Sequence, residues 1–373
     1  MAWWVMNDDD MTGVRAGQRA AVGVSLHAGW LLRIVCAVAG LLVFILALNL
    51  LKEGARDYGR AMVASFNVTS PVSALGFGWL LAYMFLSGSP VAAIAIAFFA
   101  AGTLDALQTF TMITGSRLGA SLIVLVVGFF YYLRGHRRAA SIAIGVLALL
   151  TTAAIYLPAM ALGYWALTSG FVQTIQADAD TPLMSVLDWM YEPIMNAINA
   201  LGLPGWAKFG AGVVALLTAF ALLDRALPQV EPESNAFSRI GRLVYRPMVM
   251  FALGMAVTSV TMSVSVSLSI LVPLSVRGLV RRENTLPYIM GANITTFIDT
   301  LVAALIVGGA AAFTIVLVEM VSVAILSLIV LLFFYDAFQR SILRLQDSIV
   351  RHRRTLAAFL VVMFIIPVIL LAF

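Results

Sequence analysis

Two short polar stretches interrupt long apolar sequence at comparable places: Leu86-Ser87-Gly88-Ser89-Pro90 and Met262-Ser263-Val264-Ser265. Each is followed, 28 residues after its first serine (115 − 87 and 291 − 263), by a second polar element: Gly115-Ser116-Arg117 in one case and Gly291-Ala292-Asn293-Ile294-Thr295-Thr296 in the other. Unpaired backbone groups at membrane depth are tolerated only where they are buried in protein or line a polar cavity. We therefore predict that helices break at these elements and that the breaks form a binding site.

The composition places the surrounding sequence in a membrane. Of the 373 residues, 62% are hydrophobic and only 11% are charged, whereas a soluble domain has about a quarter of its residues charged. This excludes an ordinary soluble protein. The formal charge of +5 is attributed to loops at an anionic membrane face rather than to nucleic-acid binding. The single cysteine, Cys36, excludes an intrachain disulfide.

An internal repeat with an offset of 176 residues relates the two halves. Gly29-Trp30 matches Gly205-Trp206 (205 − 29), and the same offset joins further Pro, Gly and Ser positions: Pro71 to Pro247, Gly78 to Gly254, Ser87 to Ser263, Ser89 to Ser265 and Gly115 to Gly291. These residue types change backbone freedom or polarity inside a membrane, so their coincidence carries more weight than matched apolar residues. Inverted repeats with interrupted helices are typical of secondary transporters.

A membrane-spanning helix needs about 20 apolar residues. Six clear candidates are Trp30–Leu51, Leu118–Leu133, Ala139–Leu167, Trp206–Leu223, Thr314–Tyr335 and Leu356–Phe373, with Thr296–Val307 as a seventh. The regions 71–114 and 247–290 are apolar but irregular. We expect an all-α polytopic membrane protein with about seven spanning helices and two inverted repeats, each containing a re-entrant helical hairpin.

Loop charges predict the organisation and orientation. The predicted segments are a polar N-terminal segment 1–28, a first repeat 29–167, an external acidic loop 168–204, a second repeat 205–341, and a basic loop with an extra helix 342–373. Basic clusters near residues 134–138, 239–246 and 340–354 are expected on the cytoplasmic side. This places the N-terminus inside and the C-terminus outside a cell membrane.

Several polar residues have both a structural and a functional interpretation. Serines in membrane helices often donate a hydrogen bond only to the backbone of their own helix. Asp299 follows a Gly-Asn-Thr turn, where a structural role and a role in an ion pathway are equally compatible with the sequence. Glu319 is interpreted as an interface or packing residue and Asp105 as a helix N-cap. Arg117 is interpreted as a side chain that reaches the membrane surface, with contact to an anion as the alternative. The sequence shows no phosphate-binding loop of the GxxxxGK[ST] type, and its three histidines lie in flanks or loops. We expect neither an enzyme nor an ATP-driven pump, and no cofactor or transition metal.

The motif pairs resemble the type II sodium/phosphate cotransporter family. That family has two inverted repeats, each with a Gln-Ser-Ser-Ser motif followed by a Gly-Ala-Asn-Ile-Gly-Thr-Thr motif. The best match here is Gly291-Ala292-Asn293-Ile294-Thr295-Thr296. The departures are Leu86 and Met262 in place of both glutamines, shortened serine triplets, and Gly115-Ser116-Arg117 in place of the first Gly-Ala-Asn.

The resemblance implies which residues bind substrate and sodium. The implied substrate-binding residues are Ser87, Gly88, Ser89, Ser263, Val264, Ser265, Gly291, Ala292 and Asn293. The predicted sodium-binding residues are Ser87, Ser263, Asn293, Thr295, Thr296 and Asp299.

We expect a sodium-coupled symporter of inorganic phosphate or a related small anion that works by alternating access. The expected partners are the anion, Na⁺ as coupling ion and the lipid bilayer, with a homodimer left open and no nucleic acid. Two alternatives stay open. One is a diverged carrier of another solute, which the missing glutamines favour. The other is a non-transporting membrane regulator with the same fold.

Overall fold

The computed structural model describes a chain built from helices. The described residues are 8–126, 138–170, 182–226, 246–264, 266–268, 271 and 280–373, and this part contains no strand. A helix satisfies all of its interior backbone hydrogen bonds within one segment, which is what an apolar surrounding requires. The fold is therefore all-helical, as the sequence predicts.

The helices are numbered here in chain order. They are α1 (Asp8–Gly54), continuing through a π-helical turn (Ala55–Gly59) into α2 (Arg60–Ser65), α3 (Pro71–Phe85), α4 (Ser89–Ala100), α5 (Ala106–Ala120), α6 (Arg138–Thr168), α7 (Pro182–Ala200), α8 (Gly205–Ala226), α9 (Pro247–Thr261), α10 (Arg282–Thr295), α11 (Ile298–Ile329), a π-helical turn (Val330–Phe334), α12 (Tyr335–Arg351) and α13 (Arg353–Leu370).

Six helical stretches in the described part are long and apolar enough to cross a membrane: Leu31–Ser65, Ala106–Val126, Ile142–Thr168, Gly205–Ala226, Arg282–Arg351 and Arg353–Leu370. The sequence predicts about seven. The difference arises because the predicted spans Thr296–Val307 and Thr314–Tyr335 lie in one long helical stretch, which is bent at Gly309. Gly309 has φ +66° and ψ −159°, a conformation that only glycine adopts without strain.

Three further apolar helices are shorter. Helices α3 and α9 have 15 residues each and α4 has 12. At a rise of about 1.5 Å per residue, 15 residues reach about 22 Å, which is less than the roughly 30 Å of a bilayer's hydrocarbon core. These helices lie in the regions that the sequence marks as apolar but irregular.

Helices are present in three segments that the sequence predicts as a polar N-terminus or as loops. Helix α1 already begins at Asp8, within the segment predicted as a polar N-terminus, and α7 lies within the predicted acidic loop 168–204. Helix α7 is held against α1 because the buried Tyr191 donates a hydrogen bond (2.8 Å) to the carbonyl oxygen of Leu42. The predicted basic loop after residue 342 is likewise helical, since α12 continues to Arg351.

Side-chain caps fix where two of the helices begin. Helix α5 starts at a capping box in which the Asp105 carboxylate accepts from the backbone N–H of Gln108, and the Gln108 side chain accepts from the backbone N–H of Asp105. The prediction that Asp105 is an N-cap is confirmed. Helix α3 starts in the same way at Ser70 and Ser73, with Pro71 in its first turn.

Glycines allow α3 to approach α5, and α9 to approach α10, at backbone contact. A Cβ atom built on Gly78 would clash with the carbonyl oxygen of Met112, and one built on Gly254 would clash with that of Tyr288. Both glycines and both clashing residues are 176 positions apart.

The same relation holds for the partner helices. A Cβ atom on Gly115 would clash with the carbonyl oxygen of Leu75, and one on Gly291 with that of Phe251. The two helix pairs therefore pack through the same matched positions. Helices α1 and α8 also pack together, and the rings of the matched residues Phe44 and Phe220 meet edge to face, 5.5 Å between centroids.

We predict that Gly115→Ala and Gly291→Ala each lower the free energy of unfolding by about 1–3 kcal/mol, as overpacking does in a tight interior. Gly210→Ala is the matched control, because Gly210 is an exposed helical glycine of α8 with open space around the added methyl group. Unfolding in detergent micelles measures the change. A stability of Gly115→Ala equal to that of Gly210→Ala would contradict the close approach of α3 and α5.

Candidate functional site

The first predicted polar element interrupts the helix between α3 and α4. Helix α3 ends at Phe85, and Leu86 adopts a left-handed conformation with φ +49°. Ser87 is half-buried, whereas Gly88 and Ser89 are buried, and α4 starts at Ser89. A non-glycine residue with positive φ is uncommon and stores strain, so the surrounding packing has to hold Leu86 in this conformation.

The second predicted element interrupts the chain in the same way. Helix α9 ends at Thr261, and Met262 is left-handed with φ +48°. Ser263 is half-buried and non-helical, and its hydroxyl accepts from the backbone N–H of Val266 (3.3 Å). Val264 is buried. Ser265, a predicted binding residue, lies outside the described residues.

Arg117 lies at the centre of the buried polar groups. Its guanidinium donates from Nη1 to the hydroxyls of Ser89 (3.5 Å) and Thr296 (3.3 Å), and from Nη2 to the hydroxyl of Thr300. It also lies 4.8 Å above the ring centre of Phe297, which is a cation–π contact. Arg117 thereby connects α5 with the first break and with the segment where α10 passes into α11.

The expectation that Arg117 reaches the membrane surface is wrong, since only 3% of this residue is exposed. The physical reason is the position of α5, in which every residue from Thr109 to Ala120 is buried. An arginine reaches the headgroups only if its stem can run along a lipid-exposed face to a helix end. No such face is open to it here, so the guanidinium donates its hydrogen bonds to hydroxyl groups of neighbouring segments.

Asp299 provides the negative charge nearest to Arg117. Its Oδ1 atom lies 3.9 Å from Nη2 of Arg117 and accepts a hydrogen bond (2.9 Å) from Thr300. Its Oδ2 atom is buried and has no hydrogen-bond partner among the described residues. The Nε atom of Arg117 is also buried and has no hydrogen-bond partner among the described residues. The pair is therefore close but incompletely satisfied, which suits a site that rearranges or takes a ligand.

Glu319 is a second buried acid close to this centre. It is 2% exposed, and its Oε1 atom accepts a hydrogen bond (2.8 Å) from Thr114, one helical turn before Arg117 on α5. Its Oε2 atom has no partner within the described part of the chain. Its burial agrees with the packing interpretation from the sequence, and a buried acid in an apolar helix is also typical of ion and proton pathways.

The Gly-Ala-Asn element forms part of α10. Gly291 and Ala292 are buried, and the side-chain amide of Asn293 donates to the hydroxyl of Thr152 (3.1 Å) on α6. Tyr156 donates to the backbone carbonyl oxygen of Asn293 (2.9 Å). These bonds attach the element to α6.

The predicted site residues thus divide into groups. Ser89, Thr296 and Asp299 meet around Arg117. Thr295 instead donates to the carbonyl oxygen of Met255 (3.0 Å) on α9. The described hydrogen bonds of Ser263 stay within its own segment, with Thr261, Val266 and Ser267.

Sequence reasoning missed Thr300 and Thr114. The signal for Thr114 was available, because it lies three residues before Arg117 and so shares its helix face. The arrangement offers one permanent positive charge, two acids and several hydroxyls in an apolar surrounding. Among the described residues there is no group of three or more His, Cys, Asp or Glu side chains that could hold a metal ion.

Comparisons of the chain with protein-family models, with curated proteins and with solved structures find no match. The resemblance of the motif pairs to the type II sodium/phosphate cotransporters therefore stays a prediction, and the function has to follow from the site.

We predict that Arg117 and Asp299 are energetically coupled. Arg117→Met alone should lower the free energy of unfolding by about 3–5 kcal/mol, because it leaves a buried carboxylate without its cation. Adding Asp299→Asn should restore part of that loss, giving a coupling energy of about 0.5–3 kcal/mol in a double-mutant cycle.

The exposed pair Arg56–Glu53 (3.0 Å) is the matched control. Its coupling, measured with Arg56→Met and Glu53→Gln, should not exceed about 0.5 kcal/mol. Equal coupling energies in the two cycles would contradict a buried interaction between Arg117 and Asp299.

Proposed function

We propose that this chain is a secondary active transporter that moves a small anion across the cell membrane, driven by a cation gradient. The single observation that carries the proposal is the buried Arg117, which lies between the first helix break and the start of α11 and faces Asp299. Charged residues at membrane depth are costly and mark ion or substrate pathways, and transporters place their sites at interrupted helices.

Alternating access needs two similar units around one site, and matched features support an inverted repeat. Helices α3 and α9 have bounds 176 residues apart, and so do the left-handed residues Leu86 and Met262. The matched glycine contacts between α3 and α5, and between α9 and α10, add to this. We propose that the two units are inserted with opposite orientation.

The lengths of α3 and α4 support a re-entrant hairpin. Both are too short to cross the bilayer, and they join at the break formed by Ser87 and Gly88. A hairpin of two short helices brings this break towards the middle of the membrane. We propose the same role for α9 and the segment after it. The basic and acidic loops of the sequence support a cytoplasmic N-terminus and an external C-terminus.

An anion is the proposed substrate because the fixed positive charge lies beside the predicted binding element. Nη1 of Arg117 would lie 3.4 Å from a Cβ atom on Gly88. A guanidinium binds the oxygen atoms of phosphate or carboxylate with directed hydrogen bonds. Inorganic phosphate, which the motif resemblance implies, is the first candidate.

A cation gradient supplies the driving force. Each positive charge that enters the cell gains about 2.3 kcal/mol per 100 mV of membrane potential. Sodium is the coupling ion implied by the motif resemblance, with Thr296 and Asp299 among its predicted ligands. Glu319 adds a buried carboxyl group that can carry a proton, so both gradients have to be compared.

We predict that purified protein in proteoliposomes takes up phosphate against its gradient when an inward sodium or proton gradient is imposed. Ser89→Ala should reduce the initial rate by about threefold or more, because it removes a hydroxyl that accepts from Arg117 at a long distance of 3.5 Å; a typical hydrogen bond contributes about 0.5–1.5 kcal/mol. Radiolabelled phosphate measures uptake.

Ser65→Ala provides the control, since Ser65 is exposed and donates only to Ala61 in its own helix (2.7 Å). Its uptake should equal that of the unmodified protein. Absence of uptake of phosphate, sulfate and small carboxylates under both gradients would contradict the proposed function and favour a non-transporting regulator.

A further inference from the structure

We propose that Arg117 is a built-in cation: its guanidinium occupies a position, surrounded by oxygen atoms, that a coupling sodium ion would otherwise take. This inference deepens the proposed function and rests on it. It changes the expected coupling, because a positive charge that is covalently attached to α5 cannot be exchanged with either side of the membrane.

The groups around the guanidinium are those of a cation site. The hydroxyl groups of Ser89, Thr296 and Thr300 accept hydrogen bonds from Arg117. The carboxylate of Asp299 lies 3.9 Å from its Nη2 atom. All four residues are at least nine-tenths buried. Carboxylate and other oxygen ligands suit hard cations, and transporters bind sodium beside interrupted helices. Thr296 and Asp299 belong to the set predicted from the sequence for sodium.

The matched position in the second half of the chain carries no charge. Residue 117 corresponds to Asn293 with the offset of 176. Asn293 is neutral, and its amide donates to Thr152. The positive charge is therefore present in only one of the two matched positions, where it faces the acid Asp299.

The guanidinium is a permanent occupant for two reasons. Arginine does not lose its proton in proteins, and the side chain is held by its hydroxyl partners and by the ring of Phe297, which is itself fully buried. The site therefore keeps its positive charge at every stage of a transport cycle. It follows that a sodium ion is not needed between Asp299 and Thr296.

An oxygen atom remains available for a replacement ion. The buried Oδ2 atom of Asp299 has no hydrogen-bond partner in the described part. If Arg117 is shortened to asparagine, the carboxylate loses its cation while the hydroxyls of Thr296 and Thr300 remain. Such a site should bind sodium, which would restore the charge balance.

The test compares thermal unfolding of purified protein in sodium chloride with that in N-methyl-D-glucamine chloride at equal ionic strength. Arg117→Asn should gain a sodium-dependent rise in Tm beyond any shift of the unmodified protein. Sodium at about 100 times its Kd would give a rise of about 3 °C for a protein of this size. Arg117→Lys, which keeps an attached charge, should show no gain.

The double variant Arg117→Asn/Asp299→Asn is the second control, because it lacks both the guanidinium and the carboxylate and should also show no gain. An Arg117→Asn protein that is monodisperse only in sodium supports the proposal. An Arg117→Asn protein without an added sodium effect overturns it. The proposal is also overturned if Arg117→Asn is unfolded in both salts while the double variant is folded, since sodium then does not replace the charge.

This readout is independent of uptake, so the two proposals fail separately. A chain that carries no tested anion contradicts the transport function while its sodium response still decides the role of Arg117. A chain that carries phosphate, but whose Arg117→Asn variant ignores sodium, keeps the transport function and loses the built-in cation.

Discussion

A guanidinium that keeps its charge in an apolar interior must have hydrogen-bond acceptors around it, and this requirement organises the centre of the molecule. Arg117 finds them on α4, at the end of α10 and on α11, so one side chain of α5 connects three other segments. Without these acceptors, burial of the charge would cost several kcal/mol. Ser89 of the first predicted element and Thr296 of the Gly-Ala-Asn element are therefore best understood by their relation to Arg117.

The backbone contacts of the surrounding helices make this arrangement sterically possible. Gly115 lies two residues before Arg117 and allows α5 to touch the backbone of α3. This contact fixes the position of α5 against α3, and the guanidinium two residues later lies in the interior of the helix bundle. Gly291, two residues before Asn293, does the same for α10 against α9. Close helix packing and the polar centre thus depend on the same short sequence elements.

The parts of the fold that are governed by local chemistry could be predicted from the sequence. Polarity within apolar sequence indicated the interruptions beside Ser87 and Ser263, and a short acidic side chain before α5 indicated the cap at Asp105. The environment of Arg117 could not be predicted, because depth in the bundle depends on packing between distant segments. The hydrogen bond from Thr114 to Glu319 joins residues 205 positions apart, and no local pattern encodes such a pairing.

The most direct measurement is an electron cryo-microscopy density map of the purified protein with phosphate in sodium-free buffer. The account predicts density for the Arg117 guanidinium between Ser89 and Thr296, with anion density beside the break at Gly88. A guanidinium that extends to the membrane surface, with α4 and α11 separated at this level, would contradict the account.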